Sequence, residues 1–221
     1  RPAAGEESTL SGAQEQDEEP AVEQYRGILI CDVAGSTRKF WNLGDREGNM
    51  LIDIFKKEVF MILRKYKAEH IENREGDMIV ACFDMEKPIL NVQAAVEIQK
   101  TFFTRNVNLG SRTREKLETS IGIHVGNILI RNNEIVPTPA YFTCKGIQDM
   151  ADANEICLTE EVAKLITEYS HLQMAEAGET TIKGFPEPIK IYQLEWYKKG
   201  QGNPLQRDSK SRPLSAFPLK K

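Results

Sequence analysis

The stretch GILICDVAGSTRKFW, Gly27 to Trp41, runs four apolar residues (Ile28, Leu29, Ile30, Cys31) straight into an aspartate, a valine and then AGST. A short apolar run that ends in a small-residue loop predicts a buried strand over Ile28–Val33. A carboxylate is costly at the end of such a strand, because burial disfavours the charged form unless something pairs with it. Asp32 there reads either as a helix-cap or turn residue or as a carboxylate held by a ligand. The loop behind it offers a ligand class: Gly35 permits close backbone approach, and the amides that follow point outward where the chain turns into a helix. Such a turn binds phosphate.

The rest of the chain alternates helical and extended patterns. A helix is expected across about Glu47–Tyr66, where Leu51, Ile54, Phe55, Val59, Ile62, Leu63 and Tyr66 recur at three and four and line one face. The short runs Glu69–Ile71 and Met78–Phe83, separated by ENREGD, read as a hairpin with Gly76 in its turn. A second amphipathic helix covers about Lys87–Thr104, with Pro88 in its first turn. SIGIHVGNILI reads as a strand pair bent at Gly126, and a third helix as Tyr141–Ala151. EICL is a strand, and TEEVAKLI a short helix capped by Thr159. Strands around ETTIKG and IKIYQLEW close the domain. The order predicts an α+β fold: a ferredoxin-like βαββαβ core sheet with helices packed on it, plus C-terminal β additions.

This domain is expected over residues 26–196 of the 221. Residues 1–25, rich in Glu, Gln, Ser, Ala and Gly, bury too little surface to offset ordering entropy and read as an acidic disordered linker. Residues 197–221 carry seven Lys and Arg against one Asp, with three prolines, and read as a basic flexible tail.

The totals exclude several classes. A net charge of -4 gives the molecule no reason to seek nucleic acid or an anionic membrane. No apolar run reaches membrane-span length, and no signal segment opens the chain. Cys31, Cys82 and Cys157 lie inside apolar runs and, with Cys144, show no CxxC spacing. They read as reduced, buried thiols of a cytoplasmic chain, or of the cytosolic piece of a larger, membrane-anchored protein. No GxSxG, GxxxxGK[ST] or GxGxxG motif occurs, so hydrolase, P-loop and Rossmann readings lack support.

A second carboxylate, Asp77, follows the REG turn of the hairpin. In a ferredoxin-like sheet the first strand lies beside that hairpin, so Asp32 and Asp77 can face each other at one rim. Two carboxylates at that range repel unless a proton or a cation sits between them. Oxygen-only ligands with room for water suit Mg2+ or Mn2+ carrying a phosphate substrate.

The blocks ILICDVAGST, HIENREGDMIVACF, SIGIHVGNILI, NEICLTEEV and GETTIKGFPEPIKIYQL together resemble, in order and spacing, the class III adenylate/guanylate cyclase catalytic domain. The resemblance implies Asp32, the Val33 backbone and Asp77 as metal ligands, and Ala34, Gly35, Ser36 and Thr37 as the phosphate-holding loop. It implies two Mg2+ or Mn2+ ions per site and ATP or GTP as substrate. The products would be a 3′,5′-cyclic nucleotide and pyrophosphate. It also implies a homodimer, or a heterodimer with another cyclase domain, whose second subunit completes each site.

The resemblance breaks at those completing groups. Where the family often has a purine-reading Lys this chain has Asn73, an uncharged donor and acceptor. The partner purine position falls on Glu134 or Ile135, depending on the direction of counting. The transition-state Asn position falls on Tyr141 or Phe142, and the Arg position on Lys145 or Gly146. Lys145 would supply a flexible point charge in place of a planar fork. Losing one preorganised donor costs roughly 100- to 1,000-fold in rate. Two readings stay open: a cyclase, with weak turnover accommodated, and a degenerate domain that binds metal and nucleotide or dimerises as a regulatory module. His124 reads as a hydrogen-bonded structural residue, and His70 and His171 have no ligand-like companions.

Overall fold

The computed structural model describes residues 20–197 apart from 105, 111–113, 170 and 183–186. Strand β1 (Val22–Val33) leads through the loop at Gly35 into helix α1 (Ser36–Lys65) and the hairpin β2 (His70–Arg74) and β3 (Met78–Phe83). Helix α2 (Ile89–Phe103), the short pair β4 (Asn106–Asn108) and β5 (Arg114–Lys116), and the long strand β6 (Thr119–Arg131) follow. Strand β7 (Glu134–Val136), helix α3 (Pro139–Met150), strand β8 (Ile156–Thr159) and helix α4 (Glu160–Ile166) precede β9 (Met174–Thr180) and β10 (Ile189–Leu194). The main sheet runs β2-β3-β1-β6-β8-β10-β9, with β7 paired to β6. Its first four strands have the ferredoxin-like order, and β8, β10 and β9 extend it.

Strand β1 is central because both edges are paired. It runs antiparallel to β3 from Gly27↔Phe83 to Cys31↔Ile79, and to β6 from Val22↔Ile130 to Val33↔Thr119. Alternation sends its side chains to two cores. Leu29, Cys31 and Val33 join the larger core, with Leu51, Phe55 and Val59 of α1 and Val92, Ile98 and Phe102 of α2. Ile28 and Ile30 join a smaller core with Met78, Val80, Cys82, Ile128, Ile135, Tyr141 and Cys144, roofed by α3 and β7. All four cysteines are buried free thiols. No helix among the described residues is long and apolar enough to cross a membrane.

Several local expectations are corrected. Strand β1 begins at Val22, six positions before Ile28, so Val22–Tyr25, read as the end of the linker, are strand. The β6 ladder holds them, with little burial to mark them in the sequence. Helix α1 begins at Ser36, well before Glu47, and breaks at Gly44 (φ 76°, ψ 170°), which divides it into two helical pieces. Phe40 of the first piece packs on Gly48 of the second, where a Cβ would lie 2.5 Å from its ring. The stretch read as a pair bent at Gly126 is one continuous strand. The chain reverses later, at Asn132 and Asn133 (φ 51° and 62°), the two-residue positive-φ turn that matches strand twist. Pro88 stands at the N-cap of α2, before its first turn. Thr159 precedes α4, but its side chain makes no cap; its hydroxyl lies 3.1 Å from His124 Nδ1. The linker residues 1–19, the basic segment 198–221 and 183–186 of the KGFPEP block lie outside the described residues.

Candidate active site

Because β1 and β3 are neighbours to the end of their ladder, Asp32 and Asp77 lie at the same rim of the sheet. One backbone amide ties them. The Val33 N–H points at Asp32 Oδ1 (3.0 Å) and at Asp77 Oδ2 (3.1 Å), so the two carboxylates converge on a single donor. One N–H cannot satisfy two carboxylates. Burial pushes Asp32 up to about 7, helped by its hydrogen bond with Asp77 and by the charge of Asp77; the Val33 amide and the positive charge of Lys145 pull the other way. A proton or a cation between the two carboxylates would relieve their repulsion. The donors are oxygens, and Cys31 beside them is a fully buried thiol held far above its ordinary range by that burial. Hard oxygen donors fit Mg2+ or Mn2+. Among the described residues no group of three or more His, Cys, Asp or Glu forms a closed metal cage. Two carboxylates alone leave coordination positions for water or phosphate oxygens.

The loop next to the pair is an opened turn. Gly35 adopts a left-handed conformation (φ 68°, ψ 31°) at the N-cap of α1. The first helical bond runs from the Lys39 amide to the Gly35 carbonyl, so the amides of Ser36, Thr37 and Arg38 precede it. The Ala34 amide differs: it donates to the Glu118 carbonyl at 2.8 Å and is committed to the fold.

Lys145 lies on α3, which packs on the face of the sheet that carries Ile28, Ile30 and Asp32. Its Nζ donates to Gln148 Oε1 at 3.1 Å and pairs with the Asp149 carboxylate. Tyr141 is buried in the smaller core, where burial raises its hydroxyl pKa. Phe142 is 52% exposed and packs edge-on against Tyr141. Gly146 faces Ile182. A groove of about 660 Å³ along this side of α3 is lined by Pro139, Phe142, Lys145, Asp149 and Ile182; neither Asp32 nor Asp77 lines it.

Asn73 and Glu134 are both exposed, on β2 and β7, two strands that touch. Their chain neighbours make the contact: Arg74 Nε donates to Glu72 Oε2 (2.8 Å), Glu72 accepts from the Ile135 amide, and Arg74 donates to the Ile135 carbonyl. Sequence reasoning missed this clasp, although period-two alternation along β2 already places Glu72 and Arg74 on one face. It also missed Gln148, whose helical position gave no signal.

The adenylate and guanylate cyclase catalytic domain model matches residues 22–196. Among solved structures, the adenylyl cyclase CyaB from P. aeruginosa superposes with a TM-score of 0.70 at 19% identity, over 83% of this chain and 100% of that one. The guanylate cyclase domain of RhGC from Catenaria anguillulae, solved in complex with GTP, gives 0.67 at 13% identity, over 79% and 98%. A dimeric guanylyl cyclase domain of the RhoGC fusion protein from Blastocladiella emersonii gives 0.66 at 13%, again over 79% and 98%. At such identities the likeness is one of fold. No curated protein matches the chain. The family match takes in the strand that ends on Asp32, the hairpin that leads into Asp77 and the helix that carries Lys145, and the chain belongs to the class III adenylate and guanylate cyclase catalytic domain family.

Proposed function

We propose that this domain converts ATP or GTP to a 3′,5′-cyclic nucleotide and pyrophosphate in a dimer of cyclase domains. The observation that carries the reading is the convergence of Asp32 and Asp77 on one amide beside the Gly35 turn. Asp32, Asp77 and the Val33 backbone would hold Mg2+ or Mn2+. When bound, such ions neutralise triphosphate charge and acidify the ribose 3′-hydroxyl. The Ser36, Thr37 and Arg38 amides would bind phosphate oxygens at the start of α1. The 3′-oxygen attacks the α-phosphorus, the bond to the bridging oxygen breaks, and pyrophosphate and one proton leave. On the family pattern Lys145 would come from α3 of the second subunit and add positive charge as the leaving group forms, while its charge also reaches Asp32 of its own chain. Asn73 of one subunit and Glu134 of the other would read the purine, which accounts for their exposure on separate elements.

A specific observation favours a second reading, a domain that binds metal and nucleotide without turnover. Tyr141, at one of the two positions expected to hold an asparagine, is a phenol buried in an apolar cluster and has no carboxamide to offer. Incubation with ATP or GTP and Mn2+ decides between the two. Cyclic product and pyrophosphate from either nucleotide, abolished by Asp32→Ala, are expected. Triphosphate binding with no product from either nucleotide would establish the second reading.

A further inference from the structure

A lysine on a helix surface is a poor preorganised cation: its four-carbon stem carries about 2 kcal/mol of rotamer entropy. Lys145 is nevertheless held. Its ammonium donates to Gln148 Oε1 at 3.1 Å, one turn along α3, and pairs with Asp149 on the other side. Lysine can only donate, so the amide oxygen of Gln148 must face it and the amide nitrogen must face away. That nitrogen donates to Ser120 Oγ at 2.8 Å. Gln148 is 3% exposed and Ser120 6%, so this bond is shielded from water. Ser120 lies on β6 directly opposite Asp32 in the sheet register. Helix α3 is seated flush on that strand because β6 has a glycine there. A Cβ at Gly122 would lie 2.6 Å from the Gln148 backbone nitrogen and 2.8 Å from the Cys144 carbonyl oxygen.

We propose that Gln148 is a positioning residue: anchored to Ser120, it fixes the Lys145 ammonium so that this lysine serves as the site's organised cation toward the triphosphate. The proposal rests on the cyclase reading for the role of Lys145. It goes beyond that reading in naming the residues that make a lysine adequate where a rigid planar fork is expected. Without Gln148 the ammonium keeps only Asp149, whose charge draws it away from a phosphate.

The test is a double-mutant cycle on the full chain, with Gln148→Met, which keeps the shape and removes both hydrogen bonds, and Lys145→Ala. With Mn2+ and the better of ATP and GTP, Gln148→Met is expected to lower kcat about 10- to 100-fold while KM moves less than about threefold. In the Lys145→Ala background the same change is expected to have almost no further effect. A residue with a merely structural role would lower the rate by the same factor in both backgrounds, and that result, or an unaltered kcat in the single variant, overturns the proposal. Should Gln148→Met melt below the assay temperature, Ser120→Ala carries the cycle, with a smaller kcat loss that again vanishes without Lys145.

If the wild type yields no cyclic product, the cyclase reading fails separately. The cycle is then read in the affinity for ATP and GTP analogues with a methylene bridge between the α- and β-phosphates. Loss of affinity on Gln148→Met only when Lys145 is present supports the proposal. Equal losses in both backgrounds, or no binding of either analogue by the wild type, overturn it.

Discussion

At Asp32 and Asp77 the cost of a half-buried pair of acids is visible before any ligand is considered. Removing one charge should relieve it. Asp77→Asn is expected to raise the melting temperature of the metal-free protein by a few degrees, about 1 kcal/mol, and to abolish the stabilisation that Mn2+ gives the wild type. Calorimetric melts with and without Mn2+ measure both. His124 makes a separate prediction. Burial lowers its pKa to about 4, so the folded protein keeps the ring neutral where the unfolded chain would protonate it. The stability this contributes is present above the unfolded value near 6.5 and is lost as pH falls from there toward 4. The loss is up to about 3 kcal/mol, and His124→Gln should flatten that part of a denaturation-versus-pH curve. The sequence showed His124 as a hydrogen-bonded histidine but gave its partner, Thr159, to a helix cap. Spacing along the chain cannot reveal a bond between β6 and the start of α4.

The elements were legible where burial writes a pattern. The core face of α1, the β2–β3 hairpin, α2, α3 and β8 all stand near where periodicity puts them. The failures share one cause. Val22–Tyr25 are strand by backbone pairing, with none of their side chains buried in the core to leave an alternation to read. The helical piece before Gly44 carries too few buried positions to show a period. The glycines of β6 look like bends, yet Gly122 and Gly126 are flat strand positions where α3 comes close. Gly122→Ala should therefore cost about 1–3 kcal/mol or more by pushing α3 off the sheet. Asn133→Gly, at a left-handed turn position, should stabilise by about 0.5 kcal/mol. Urea unfolding of the two variants checks both signs.

For the whole molecule, Asp32, Asp77 and the Gly35 turn stand together in one chain, as their order in the sequence implied; at the purine positions the sequence offered only Asn73 and Glu134, which depart from the family pattern. A site shared between two copies predicts complementation. Asp77→Ala and Lys145→Ala chains, each nearly inactive, should recover on mixing to about one quarter of wild-type activity, since about half the dimers are mixed and each holds one intact site. No recovery, with mixed dimers demonstrated, would place Lys145 in its own subunit's site. Cyclisation at this site requires above all a divalent cation held by Asp32 and Asp77, and Mn2+ titration by electron paramagnetic resonance reads that binding directly. With a methylene-bridged triphosphate present, the wild type should lower the free-Mn2+ signal further than the triphosphate alone does, and Asp32→Asn should add little to the triphosphate's own effect. Equal depletion by both proteins would contradict the account.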